Sequence, residues 1–187
     1  MIYRLANIED IEGILSLHRK YQIDTINEED KKDGFVTTAF TREELHKLIT
    51  EENGLFIGVK DKNIVAYVMS ASWPFWSKWD MFKFMIEDLQ NCVYNGVQLT
   101  VDNSYQYGPI CIDKSVRGSG VLEEIFAFAI RNMSYRFEYL VTFVNKQNPR
   151  SYEAHKRKLG LEVLKEFQFN GNEYYEFVCS TFWKKLK

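Results

Sequence analysis

The sequence predicts a mixed α/β domain with a mostly antiparallel central sheet flanked by helices. Three observations lead there. Apolar residues recur at helical spacing in some segments and as short uninterrupted runs in others. Two pairs of those runs are joined by tight polar links, the pattern of antiparallel hairpins. Two helices also open just after strands, one at a glycine-bearing loop and one at Asn148-Pro149. Open α/β sheets usually bind ligands at such strand ends.

Taken in order, Ile2 to Leu5 reads as an opening strand. Asn7 caps a helix that carries Ile8, Ile11, Ile14, Leu15 and Leu17 to about Tyr21, with Glu9 and Asp10 favoured in its first turn. Residues 24–40 are polar around Gly34 and read as a loop or frayed helix. Thr41 to Glu44 has the capping-box form and starts a helix to about Glu51. Asn53-Gly54 turns into Leu55–Val59, and Asp61-Lys62-Asn63 turns again into Ile64–Met69, giving the first hairpin. Trp73 to Cys92 is expected to be one helix after Pro74, with Trp79, Phe82, Met85 and Ile86 on one face. Tyr105 to Ile112 reads as a strand interrupted at Gly108-Pro109, where a bulge or an edge position would tolerate the missing N–H. A helix over Val121–Met133, a strand over Tyr139–Val144 and a helix from Asn148 to Gly160 follow. Leu161–Phe169 and Tyr174–Phe182 close the chain as a hairpin across Asn170-Gly171-Asn172.

The 187 residues suit a single domain, 1–187, with 45% hydrophobic and 27% charged residues, a globular balance that argues against disorder. A net charge of −2 gives no field to hold a polyanion, which argues against nucleic acid as a partner. The local basic group Arg150, Lys156, Arg157, Lys158 and Lys165 reads as a solvated helix face before it reads as an RNA contact. Cys92, Cys111 and Cys179 have neither disulfide nor zinc spacing, so a reduced, cytoplasmic setting is expected. The N-terminus lacks the basic and apolar regions of a signal peptide, and no run is long enough to span a bilayer.

The chemistry is carried by Tyr107 to Leu122, where a strand leads through Arg117-Gly118-Ser119-Gly120 into a helix. N–H groups at a helix start and the positive end of its dipole form an anion site, and glycine lets the backbone approach a phosphate. The lysine of a P-loop and the G-x-G-x-x-G pattern are both absent. The segment instead resembles the pyrophosphate loop of the GCN5-related N-acetyltransferases (GNAT), whose pattern is Arg or Gln, two residues, Gly, one residue, then Gly or Ala. Leu122 departs from it, standing where the family has Gly or Ala. Residues 1–21 resemble the family's opening strand and helix. Asn148-Pro149-Arg150-Ser151-Tyr152-Glu153-Ala154-His155, leading to Leu159-Gly160-Leu161, resembles its Asn-x-x-Ser/Ala helix. Counted from Asn148, His155 stands where the family often has tyrosine. Gly160 arrives one residue late, so an extra residue or a bulge is expected in that helix.

What the resemblance implies is a GNAT-like acyl-CoA N-acyltransferase fold using acetyl-CoA as co-substrate, with a small-molecule or peptide amine as acceptor and no membrane partner. The amine would attack the thioester directly in a ternary complex. Backbone N–H groups on Ile110-Cys111-Ile112 would hold the pantetheine arm and polarise the carbonyl. Arg117, Gly118, Ser119, Gly120, Val121 and Leu122 would take the pyrophosphate, and Asn148 and Ser151 would contact or order the arm. The proton for the leaving thiolate would come from His155 if the helix is regular, or from Tyr152 if it is bulged. Asp102, Asp113 and Tyr107 are the candidates for a base, none singled out, and no metal is implied. A non-catalytic CoA-binding or ligand-sensing module on the same fold is the alternative. The aromatic-rich insert, residues 72–104, has no family counterpart. It is a candidate wall for the acceptor pocket, and equally an extra core layer or a homodimer contact.

Overall fold

A computed structural model describes residues 1–31 and 34–182. Residues 32–33 of the expected 24–40 loop thus lie outside the described residues. In chain order the elements are β1 (Ile2–Leu5), α1 (Ile11–Tyr21), α2 (Glu28–Lys31), α3 (Arg42–Thr50), β2 (Leu55–Lys60), β3 (Asn63–Ala71), α4 (Trp73–Trp76) and α5 (Asp80–Asp88). They continue with β4 (Val93–Tyr94), β5 (Val97–Gln98), β6 (Ser104–Ile112), α6 (Val121–Met133), β7 (Tyr139–Asn145), α7 (Pro149–Glu153), β8 (Glu162–Phe169) and β9 (Asn172–Ser180). The strands hydrogen-bond in the order β1-β2-β3-β6-β7-β9-β8, and β4-β5 is a separate hairpin. Four of the pairings are antiparallel, β1 with β2, β2 with β3, β7 with β9 and β8 with β9, while β6 and β7 run parallel. The mostly antiparallel mixed sheet expected from the sequence is therefore the one found.

Two compact units divide the chain. One comprises residues 1–70 and 108–129, the other 71–107 and 130 onward, so β6 gives its second half to the first unit and its first half to the second. In the first unit Thr41 caps α3 by accepting from the Glu44 N–H at 3.2 Å, while the Glu44 carboxylate accepts from the Thr41 N–H at 2.8 Å. Ile11, Ile14, Leu45, Leu48, Leu55 and Phe56 form the core here. Gly54 is required by close approach, because a Cβ there would lie 1.6 Å from the Ser70 carbonyl oxygen.

In the second unit, the pleat puts Phe143 of β7, Tyr174 and Glu176 of β9, and Lys165 and Phe167 of β8 on one face. The insert packs on that face, with Phe82 5.7 Å from Phe143 and Phe84 5.6 Å from Phe167. α7 covers the other face, with Tyr152 4.6 Å from Tyr175 and 5.6 Å from Phe177.

Two sequence expectations need correction. Trp73 to Cys92 is not one helix: Trp79 is extended (φ −96°, ψ 136°) between α4 and α5, and a 3-10 turn over Leu89–Asn91 ends the segment. The Ser77 hydroxyl donates to the Pro74 carbonyl at 2.8 Å, a local bond that competes with the helical ladder. Pro109 is not on an edge strand either. β6 lies between β3 and β7 and continues through a cis Gly108-Pro109 peptide. Its register with β7, Ser104 to Gln106 against Tyr139 to Val141, ends before the proline, so no ladder bond to β7 is asked of it there.

Candidate functional site

In the first unit, the end of β6 and the glycine loop are held by the C-terminus of α1. The Tyr21 hydroxyl accepts from the Lys114 N–H at 2.8 Å, and Lys20 pairs with Asp113 at 2.7 Å. Burial alone would raise the Asp113 carboxyl, but the Lys20 ammonium and the Ser115 N–H outweigh it and hold the group at about 2. Arg117 donates from Nε to the Ile112 carbonyl at 2.9 Å and lays its guanidinium 4.9 Å from the centre of the Tyr21 ring. The Ser119 hydroxyl closes the turn on the Val116 carbonyl at 2.7 Å.

Gly118 and Gly120 both have positive φ, 79° and 86°, the region that a Cβ disfavours. Among the described residues, no atom beyond its chain neighbours lies within 4 Å of where a Gly118 Cβ would be built, so this position faces open space. α6 then starts at Val121, whose side chain is buried, with Leu122 half-buried. The first-turn N–H groups of a helix have no partner within the helix, so the loop and helix start fit an anionic, phosphate-like group. Glu123 and Glu124 lie in the same turn, and Glu124 accepts from the Tyr3 hydroxyl at 2.7 Å.

Within Ile110-Cys111-Ile112 of β6, Cys111 is the buried residue, while Ile110 and Ile112 are half-buried. Burial pushes the Cys111 thiol up to about 12, which removes it as a thiolate nucleophile near neutrality. One cluster in this unit was not read from the sequence. His18, buried on α1, has Nδ1 2.7 Å from the Tyr67 hydroxyl. Each belongs to a separate apolar pattern, and nothing in the sequence pairs them.

The second unit holds the other expected residues. Asn148 caps α7, its side chain accepting from the Ser151 N–H at 3.0 Å, and Pro149 follows in the first turn. The late glycine has a structural counterpart. From Ala154 to Lys158 the helix widens to π, with the Leu159 N–H donating to the Ala154 carbonyl at 3.0 Å, and Gly160 then takes φ 71°. His155 sits inside this turn and is buried, 5.9 Å from the Tyr107 ring and 5.8 Å from Phe177. Its Nδ1 lies 2.7 Å from the Ser151 carbonyl, which only accepts, so Nδ1 carries the proton. Burial lowers its pKa, outweighing the Ser151 carbonyl, which raises it, and keeps the ring neutral. Tyr152 is half-buried, and its hydroxyl accepts from Lys156 at 2.9 Å.

The base candidates separate on these surroundings. Tyr107 is fully buried and held as a phenol by desolvation, whereas Asp113 is ionised but committed to Lys20. Asp102 is exposed. Within the basic group, Arg157 pairs with Glu153 at 3.1 Å, and Lys165 turns into a partly buried acidic cluster. That cluster, Asp88, Cys92, Lys165 and Glu176, was also not read from the sequence. Counting back from Asn170-Gly171 sets Lys165 opposite Glu176, so the hairpin register carried half of the signal. Trp73 and Trp76 of the insert are fully buried, and their indole N–H groups donate to Ser104 Oγ at 3.0 Å and to the Ala71 carbonyl at 3.1 Å. These two rings are a packing layer.

No family model matches the sequence, and no curated protein matches it. Solved structures match in fold over nearly the whole chain. The protein smu.2055 from Streptococcus mutans is 13% identical, with a TM-score of 0.65 over 97% of this chain and 99% of that one. The ribosomal-protein-alanine N-acetyltransferase from Brucella melitensis is 14% identical, with a TM-score of 0.62 over 96% and 99%. YncA from Salmonella typhimurium, solved with its cofactor acetyl-CoA, is 11% identical, with a TM-score of 0.62 over 97% and 94%. At such identities the likeness is one of architecture, and in architecture this chain has the GNAT acyltransferase fold.

Proposed function

We propose that the chain transfers an acetyl group from acetyl-CoA to an amine of a peptide or small-molecule acceptor, by direct attack in a ternary complex. The observation that carries this reading is the Arg117–Gly120 loop, open at Gly118 and leading into the start of α6 on an acetyltransferase fold. Acetyl-CoA, when bound, supplies an acyl thioester already activated toward amines. Backbone N–H groups from Gly118 to Leu122 hold the pyrophosphate, with Arg117 and Ser119 fixing the loop that presents them. Backbone N–H groups of Ile110-Cys111-Ile112 hold the pantetheine arm and polarise the carbonyl as oxyanion donors. Asn148 and Ser151 order the arm.

Tyr152 is the proton donor to the departing thiolate. Lys156 donates into its oxygen, which leaves the phenol's own proton available to another acceptor. His155 is less suited, because its proton is held on Nδ1 by a backbone carbonyl. Calorimetry tests the cofactor assignment: wild type should bind CoA, and Gly118→Glu should lose at least tenfold in affinity, about 1.4 kcal/mol. Failure of the wild type to bind CoA sinks the proposal. CoA binding without thiol release in the presence of any amine of a broad panel would favour the non-catalytic module, which Leu122 at the Gly/Ala position also favours.

A further inference from the structure

Four ionisable side chains meet beneath the insert in the second unit. Asp88 ends α5, Cys92 follows its 3-10 turn, Lys165 lies on β8, and Glu176 lies opposite Lys165 on β9. Lys165 Nζ is 3.0 Å from Cys92 Sγ and 3.4 Å from Glu176 Oε2, and it also bonds Asp88. An ammonium has three N–H donors, and three acceptors surround this one. Asp88, Cys92 and Glu176 have donor atoms within 4.8 Å of one another, as a metal would need, but the lysine already supplies the cation. Cys92 is 1% exposed and Glu176 2%, so the sulfur is closed to bulk solvent, while the side chains of Lys165 and Asp88 are 26% and 25% exposed.

We propose that Lys165 and Cys92 are a modification site, joined by dioxygen into a covalent N–O–S bridge. One N–H and the S–H bond break, and N–O and O–S bonds form. The second oxygen atom leaves as water with the two hydrogens. Nitrogen and sulfur each give up two electrons, the four that dioxygen takes. The ammonium must first lose its extra proton, and Glu176 is placed to receive it, since burial holds its carboxyl above the ordinary range. Hydrogen bonds donated by Lys165 to Asp88 and Cys92 outweigh burial and favour the charged lysine, so the bridge forms slowly and faster as pH rises. Dioxygen suits the site because it is small and apolar enough to reach a sulfur that solvent does not.

Intact-mass measurement of wild type held in air-saturated buffer, at neutral and at alkaline pH, tests this. The expected result is a gain of one oxygen with loss of two hydrogens, about 14 Da, reversed by a thiol reductant. Digestion should give a joined pair of peptides containing Cys92 and Lys165, with trypsin failing to cut after Lys165. Lys165→Arg and Cys92→Ser should each abolish the gain. Peptide mapping of wild type does not depend on how those variants fold. No mass change, or oxygen confined to the Cys92 peptide as sulfenic or sulfinic acid, overturns the proposal.

Discussion

Tyr152 and His155 stand three positions apart on a helix that changes pitch between them. In a regular helix such neighbours share a face, and here both rings lie near Phe177, at 5.6 and 5.8 Å, but His155, inside the π turn, is buried, whereas Tyr152 is half-buried with its hydroxyl on Lys156. The two residues therefore make opposite predictions. Tyr152→Phe should lower kcat by the ~10²–10³ of a lost acid, with KM for acetyl-CoA little changed. His155→Gln should leave kcat within a few-fold and show its effect in thermal unfolding, because it disturbs a buried ring. Steady-state kinetics with any accepted amine distinguishes them, and two unaltered kcat values would mean that solvent protonates the thiolate. At this scale the glycine loop was legible, since its residues are contiguous and glycine has few reasons to occur twice there. The extra residue before Gly160 was legible too, by counting. That it is absorbed as a π turn was not, because spacing does not say where a helix widens.

Among the elements, the insert is where pattern and structure part. Its aromatic residues fit a helical period, yet the chain breaks at Trp79 so that Trp76 and Phe82 pack 4.8 Å apart. Tertiary packing of large rings overrides a single helix, helped locally by the Ser77 hydroxyl bond to the Pro74 carbonyl. The two tryptophans should differ accordingly. Trp76 is fully buried with its indole N–H satisfied, so Trp76→Ala should cost about 3–5 kcal/mol in urea unfolding. Trp79 is half-buried with Lys78 4.2 Å from its ring centre, and Trp79→Ala should cost about 1–2 kcal/mol. Equal losses would contradict the layer described. The hairpins, by contrast, could be read directly: Asp61-Lys62 and Asn170-Gly171 take the positive φ that two-residue turns need.

For the whole molecule, the fold class was legible because element order survives where identity does not: chains only 11–14% identical share it. The chain's passage back and forth between its two units was not legible, since composition does not shift at residues 70, 107 or 129. That passage matters for a chain made from one end. The first unit needs residues 108–129 to cover Phe56, whose ring lies 6.0 Å from that of Phe128 and which was made some fifty to seventy residues earlier. At about 5–20 residues per second, translation leaves that apolar surface waiting for seconds. The second unit waits too, its 71–107 segment preceding β7, β9 and β8. Ribosome-stalled chains exposing only residues 1–107 should therefore be cut rapidly by protease, and those exposing residues through α6 should gain protection in the first segment. During that interval the nascent chain presents itself to chaperones as an unfinished protein, whatever the stability of its finished form.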